Sequence, residues 1–492
     1  MRNLIYSLII FNLIIGCTVE KDNITISGTI KGFNSEVLEY SNPVKGSSVI
    51  FFKEEIQPDS AGNFKIEIPL EEIAIIRIGF PQSTTVKLIA EPNEEYVVNF
   101  NLTQKDSEQA YNIEGDNKKV QDLYNKLEKP VHIQIAARPF LQDSLAPEIE
   151  KKINNLKQEE LAPFKNLLSE ATISEDIYNF IALDRQYYYT SLKGTVAFIK
   201  YLQERRQEGS FNKGIKNMWE NTFNNNLLTR QDFQRSDWGY ALAENYVFFK
   251  NYENVDFNEE TFQKSIGDGS YNSFLLKSYD KHLPEHIVAF CKAFYFYQEL
   301  MQQDYKKEFI TFFENFKKDY PNNPYSPYLK PLIEDVIVFH EKAGKNFNKE
   351  IAFVEDYESK NSLDEILEEF KGKKLFIDVW ATWCAPCKEE FKHNDSLKNL
   401  LKASNTNILY VSIDDEERSE KWKEMIKFYN LKGSHLRANS ELNSDLRKIY
   451  DDNEIIYIPW YILVDSKGNI ASKHAAKPSK LEALRNEITS LE

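Results

Sequence analysis

At 492 residues, with 42% hydrophobic and 13% aromatic side chains, the chain is too long for one ordinary core and apolar enough to build several. That composition excludes a disordered chain and predicts folded domains. Its 61 basic and 76 acidic side chains leave a net charge of −15 without a long Lys/Arg run, which argues against a nucleic-acid partner.

The first seventeen residues, MRNLIYSLIIFNLIIGC, place one cation, Arg2, before an apolar stretch. The stretch falls short of the roughly 20 apolar residues that span a bilayer and fits a secretory signal. Its ending, LIIGC, resembles the lipobox of bacterial lipoproteins. The resemblance implies that residues 1–17 are a signal peptide with lipobox, cut after Gly16, and that Cys17 carries a lipid. The rest would then be tethered to the bacterial cell envelope, facing the periplasm or, alternatively, the cell surface.

Residues 18–108 alternate with period two, as in Ile24, Ile26 and Ile30, then Phe64, Ile66 and Ile68, then Val86, Leu88 and Ala90. Turn clusters such as QPDSAGNF and AEPNEEY separate the runs, which predicts a small antiparallel β domain.

Over 109–345 the period becomes helical. In EHIVAFCKAFYFYQELM, residues Ile287, Phe290, Cys291 and Phe294 recur at helical spacing, so Cys291 is expected to be a core thiol. The rings of RQYYYTSL and KEFITFFENF are expected to be core, with an aromatic groove for a partner as the sharper alternative. HLPEH, from His282 to His286, fits a zinc-protease pattern. Pro284 favours the start of a helix between the two histidines, so they are expected to fall on separate elements and bind no metal.

From 346 to 492 strands and helices alternate, predicting an α/β sheet closed by an antiparallel hairpin. An apolar strand, KKLFIDVW, runs into ATWCAPCKEEF. One helix is expected from Cys384 to about Ser404.

Cys384 and Cys387 pose the chemical question. A disulfide across so short a loop stabilises by about 2 kcal/mol in the chain-entropy model, which makes a weak staple. A zinc site lacks two further ligands nearby. The reactive reading accounts for more of the neighbours. Cys384 begins a helix, where free N–H groups and the helix dipole favour a thiolate, so it is the expected nucleophile. Pro386 fits the first turn, and Cys387 is the expected resolving thiol. Asp378 is a lone carboxylate in an apolar strand, and burial would raise its pKa and suit it to take the proton of Cys387. Glu390, a turn beyond Cys387, is a second candidate for moving that proton.

DVWATWCAPCK is similar to the thioredoxin signature, and with an envelope location it resembles the TlpA/ResA-type thioredoxin-like disulfide reductases. The resemblance implies an α/β thioredoxin-like fold at the C-terminus, preceded by the small antiparallel β domain and a mostly α-helical middle domain. It also implies an inserted helix and short strand between YVSID and PWYILVD. Asp378 matches the buried aspartate of thioredoxins, and Glu390 the acidic residue that the subfamily carries beside the site. Pro459 matches the family's cis-proline, with the backbone of Ile458 pairing to an extended substrate. Trp383, Pro386, Ile458, Pro459 and Trp460 are thus expected to meet substrate, although Trp460 stands where Thr is usual. Function follows as reduction of protein disulfides, with no cofactor beyond the Cys384–Cys387 couple and with a membrane electron donor. A thiol oxidase or isomerase, or an envelope binding lipoprotein whose β and helical domains do the work, are the rival readings.

Overall fold

In the computed structural model, residues 22–491 are described apart from 35, 49–52, 81–82, 105–106, 108, 128–129, 131, 209–211, 255–263, 266–268 and 451–454. The expected signal peptide and Cys17 lie outside the described residues. The chain divides into two compact units, Met1–Phe294 and Tyr295–Glu492.

In the first unit, the alternating segments form strands whose inward residues are buried. They are β1 (Asn23–Lys31), β2 (Leu38–Ser41), β3 (Lys53–Ile56), β4 (Asn63–Pro69), β5 (Ala74–Gly79), β6 (Thr85–Ala90), β7 (Glu95–Asn101) and β8 (Tyr111–Glu114). Two four-stranded sheets result, ordered β4-β1-β7-β8 and β3-β2-β5-β6. Ile24, Ile26, Phe64 and Ile66 of one sheet share a core with Leu38, Ile78, Val86 and Leu88 of the other. Pairing departs from the expected antiparallel pattern at one place, where β1 and β7 run parallel. Only strands joined by a tight hairpin are forced antiparallel, and β1 and β7 are separated by the whole second sheet. Gly28 suits the close approach of these strands, since a Cβ there would sit 1.9 Å from the Val98 carbonyl oxygen.

The outer face of β5 and β6 is covered as well. Ile75 and Ile89 pack with Val120, Tyr124, Phe164 and Ile181. Helix α1 (Lys118–Lys126) also closes the open edge of β6 with side-chain amides. Gln121 accepts from the Ile89 N–H at 2.9 Å and donates to its carbonyl at 2.8 Å, and Asn125 does the same for Lys87 at 3.0 and 2.8 Å. These amides satisfy groups that would otherwise invite another strand. Asp237 accepts Arg77 of β5 at 2.6 Å and Lys87 of β6 at 2.5 Å. Burial alone would raise its pKa, but the two cations hold it well below the usual carboxylate range.

The remaining helices of this unit are α2 (Ile133–Ala137), α3 (Ala146–Ser169), α4 (Glu175–Glu208), α5 (Lys213–Thr222), α6 (Gly239–Asn254) and α7 (Tyr271–His282). Tyr187, Tyr188 and Tyr189 are buried in core and do not line a groove. His282 ends α7, and His286 lies in α8 (Glu285–Met301), bonded to the Arg230 carbonyl at 3.0 Å. Cys291 is fully buried, which pushes its thiol pKa well up.

The division between units falls within α8, so the helical stretch expected over 109–345 is shared between them. The second unit opens with the end of α8, then α9 (Glu308–Asp319) and α10 (Ser326–Ala343). Phe309, Phe313 and Phe316 are core residues here, as the ring-rich sequence predicts. Tyr305 stacks on Phe339 at 4.5 Å and lies 5.1 Å from Phe428. Those contacts fasten the residues just before α9 to the α/β layer.

That layer is a six-stranded sheet of order β14-β13-β10-β11-β12-β9. Its strands are β9 (Ile351–Phe353), β10 (Lys374–Trp380), β11 (Thr406–Ser412), β12 (Gly433–Arg437), β13 (Trp460–Val464) and β14 (Ile470–Ser472). Strands β9 to β12 pair in parallel, and β13 and β14 add the antiparallel end. Its helices are α11 (Leu363–Glu369), α12 (Ala385–Glu390), α13 (Asn394–Ala403), α14 (Ser419–Tyr429), α15 (Ser440–Tyr450) and α16 (Leu481–Thr489). The single helix expected from Cys384 to Ser404 is interrupted by a 3-10 turn at Phe391–His393. There Phe391 turns inward, its ring 5.2 Å from Trp380 and 5.1 Å from Tyr429.

Candidate active site

Strand β10 is flanked by β11 and β13 and buried along nearly its whole length, which is why an unbroken apolar run suits it. The chain leaves its end through a turn and reaches Cys384, the N-cap of α12, in an extended conformation. The Cys384 sulfur accepts a hydrogen bond from the Cys387 N–H at 3.2 Å, so the helix terminus already points a donor at it. Pro386 sits in the first turn, where its missing N–H leaves no gap in the helix. Cys384 and Cys387 are joined by a disulfide and both are buried, while the adjacent Trp383 is 52% exposed.

Asp378 is 1% exposed. Burial first, and the Glu390 carboxylate second, push its pKa well above the usual carboxylate value. In register it lies between Tyr410 of β11 and Tyr461 of β13, which places the three side chains in a row on one face of the sheet. Oδ1 of Asp378 and the two tyrosine hydroxyls are buried and lack a hydrogen-bond partner within the protein.

Val379 pairs with Trp460, so the end of β10 and the start of β13 lie at the same edge of the sheet. The Ile458–Pro459 peptide immediately before β13 is cis and therefore shares that end with the cysteine turn. One expected placement changes. Trp460 was expected at the substrate surface but is 2% exposed: its indole N–H donates to the Lys473 carbonyl at 2.5 Å and its ring packs 5.0 Å from Tyr450. It is the first residue of β13, and its ring packs inward. The large apolar side chains exposed there are Ile455 and Tyr457, the latter 69% exposed. Glu390, the acidic residue expected beside the site, is buried. Its carboxylate accepts the Ser479 N–H at 2.9 Å and hydroxyl at 3.0 Å and faces Lys477 at 3.2 Å.

Other polar neighbours of the cysteines were not singled out in the sequence. Thr382 donates its N–H and hydroxyl to Asp414, and Lys388 is buried. The sole sequence signals are a lysine directly after the second cysteine and an aspartate ending an apolar strand, YVSIDD. Among the described residues, no cluster of His, Cys, Asp and Glu could hold a metal, and no helix is long and apolar enough to cross a membrane.

Residues 343–488 match the family described as Redoxin. The chain is 28% identical over 125 residues to the thiol-disulfide oxidoreductase ResA of Bacillus thuringiensis subsp. konkukian (strain 97-27), covering 25% of this chain and 68% of the relative. It is 32% identical over 117 residues to the thioredoxin-like protein YneN of Bacillus subtilis (strain 168), covering 24% and 64% respectively. A solved thioredoxin domain of a thiol-disulfide oxidoreductase from Bacteroides vulgatus is 27% identical, with 25% of this chain and 82% of that chain covered and a TM-score of 0.21.

Proposed function

The C-terminal part of this chain is a redoxin domain of the TlpA/ResA thiol-disulfide oxidoreductase type, and from that premise we propose that the protein reduces protein disulfides in the bacterial cell envelope. The observation that carries the reading is the placement of the Cys384–Cys387 pair at a helix start, beside an exposed Trp383 and at the same sheet end as the cis Ile458–Pro459 peptide.

In the reduced state, the Cys384 thiolate attacks one sulfur of a substrate disulfide, and the other substrate sulfur leaves as a thiolate that takes up a proton. A mixed disulfide then joins Cys384 to the substrate. Asp378, ionised for this step, accepts the Cys387 proton; the Cys387 thiolate attacks the Cys384 sulfur and expels the second substrate thiolate. The substrate has gained two electrons and the domain is left as the Cys384–Cys387 disulfide. A donor on the membrane side must supply two electrons to reset it. Glu390 acts by repelling charge from Asp378, since its own oxygens are engaged by Ser479 and Lys477. Pro386 shapes the cysteine turn. Ile458 offers its backbone to an extended substrate, flanked by Tyr457, Ile455 and Trp383. Lipidation of Cys17 would keep the domain near its donor.

The test is reduction of insulin by the dithiothreitol-primed protein. Cys384→Ser abolishes it, and Cys387→Ser accumulates a mixed disulfide that mass spectrometry identifies. Activity that survives Cys384→Ser removes the assignment. An equilibrium potential far above the roughly −270 mV of thioredoxin transfers the protein to the oxidase reading.

A further inference from the structure

Lys388 is 1% exposed, and its ammonium is spent on three backbone carbonyls. It donates to Gln302 at 2.6 Å, to Thr382 at 3.1 Å and to Gln303 at 3.3 Å. Burial lowers its pKa to about 8. Thr382, two residues before the nucleophile, is held at every polar atom. Its N–H donates to both Asp414 oxygens at 3.1 and 2.9 Å, and its hydroxyl donates to Asp414 at 2.7 Å. The same hydroxyl accepts from Arg418 Nη1 at 2.9 Å, and Arg418 reaches on to Asp304 at 3.4 Å. Both cations that grip Thr382 therefore have their second hold on the same turn, 302–304.

That turn is itself anchored. Gln303 and Tyr305 have φ of 52° and 49°, a left-handed conformation that costs a non-glycine residue and persists when its surroundings impose it. The Tyr305 hydroxyl bonds that of Tyr429 at 2.8 Å, and its carbonyl meets His340 Nε2 at 2.9 Å. A chain of fixed contacts thus runs from α10 and α14 through 302–305 to the residue ahead of Trp383 and Cys384.

We infer that the 302–305 turn is a working part of the redox site, holding Thr382 through the positioning residues Lys388 and Arg418 and so setting how Trp383 and Cys384 meet a substrate disulfide. The inference rests on the exchange reading above. Displacement of reacting groups by even about 1 Å costs on the order of a hundredfold in rate, so a loosened Thr382 has kinetic consequences before it has structural ones.

Asp304→Asn separates this role from plain electrostatics by its sign. Removing a negative charge near the cysteines favours a thiolate and quickens alkylation of reduced Cys384. Releasing Arg418 from the turn instead slows it. Iodoacetamide alkylation of the dithiothreitol-reduced full chain and insulin reduction are measured side by side. Asp304→Asn is expected to slow both about two- to threefold, and Lys388→Met about tenfold, chiefly in kcat; Lys388→Arg restores most of the loss. Faster alkylation in Asp304→Asn, or unchanged rates in folded Lys388→Met, overturns the inference. If Lys388→Met does not fold, Asp304→Asn decides alone, since its partly exposed side chain can be changed without opening the core. If the wild type fails to reduce insulin, the exchange reading falls while alkylation still decides on the turn.

Discussion

Two aspartates whose carboxylates are shielded from solvent, one in each unit, show how differently the same side chain is used. Asp237 meets Arg77 and Lys87, stays charged, and ties two strands to the segment before α6. Asp378 is bordered by two tyrosines in register, with burial and Glu390 both opposing its charge. A paired carboxylate holds structure together; one denied a cation is primed to change protonation.

Removing the chemistry itself has the largest expected effect. Cys384→Ser should cut insulin reduction on the order of a thousandfold or more while leaving both aspartates in place. Asp237→Ala should instead cost stability, about 3–5 kcal/mol in urea unfolding, because Arg77 and Lys87 lose a shared partner, and should leave insulin reduction per folded molecule intact. Loss of catalysis in that variant would break the division between the two aspartates.

Asp378→Asn tests both halves of the comparison. It should slow resolution of the mixed disulfide roughly a hundredfold, read by quenched time points. It should also raise stability, with a definite pH dependence. A folded pKa above the unfolded value of about 3.9 means that above this pH the unfolded chain releases a proton which the folded chain retains. The wild type therefore pays a growing penalty as pH rises toward the folded pKa, and the gap to Asp378→Asn should widen from pH 4 upward. Asp237 has the opposite slope: its depressed pKa gives stability that is present above about pH 4 and lost as pH falls. Urea midpoints across that range should show the two trends with opposite signs.

A smaller effect is expected at Glu390→Gln, about 1.5 kcal/mol of stability from the weakened bonds to Ser479 and the lost charge opposite Lys477. It should also make Asp378 easier to ionise, so the pH dependence of resolution moves to lower pH.

Legibility in the sequence followed the range of the interaction. The cysteines, Pro386 and Asp378 sit within one strand and one helix turn, where spacing and local apolarity speak directly. The burial of Trp460 and of Glu390 was not legible because it depends on partners, Lys473 and Ser479, that spacing along the chain does not reveal. The parallel pairing of β1 with β7 was hidden for the same reason, since period two marks a strand but not its neighbour.

Periodicity along the sequence thus marked where strands and helices fall, and the dithiol motif together with its apolar strand singled out Cys384 and Cys387 as the candidate redox pair. Only the tertiary structure decided that residues 302–304 are linked to Thr382 through Lys388 and Arg418, and that α9 and α10 belong with the redoxin sheet. Local pattern is written by backbone geometry over a few residues. A lysine meeting carbonyls more than eighty positions away is set by how the layers pack.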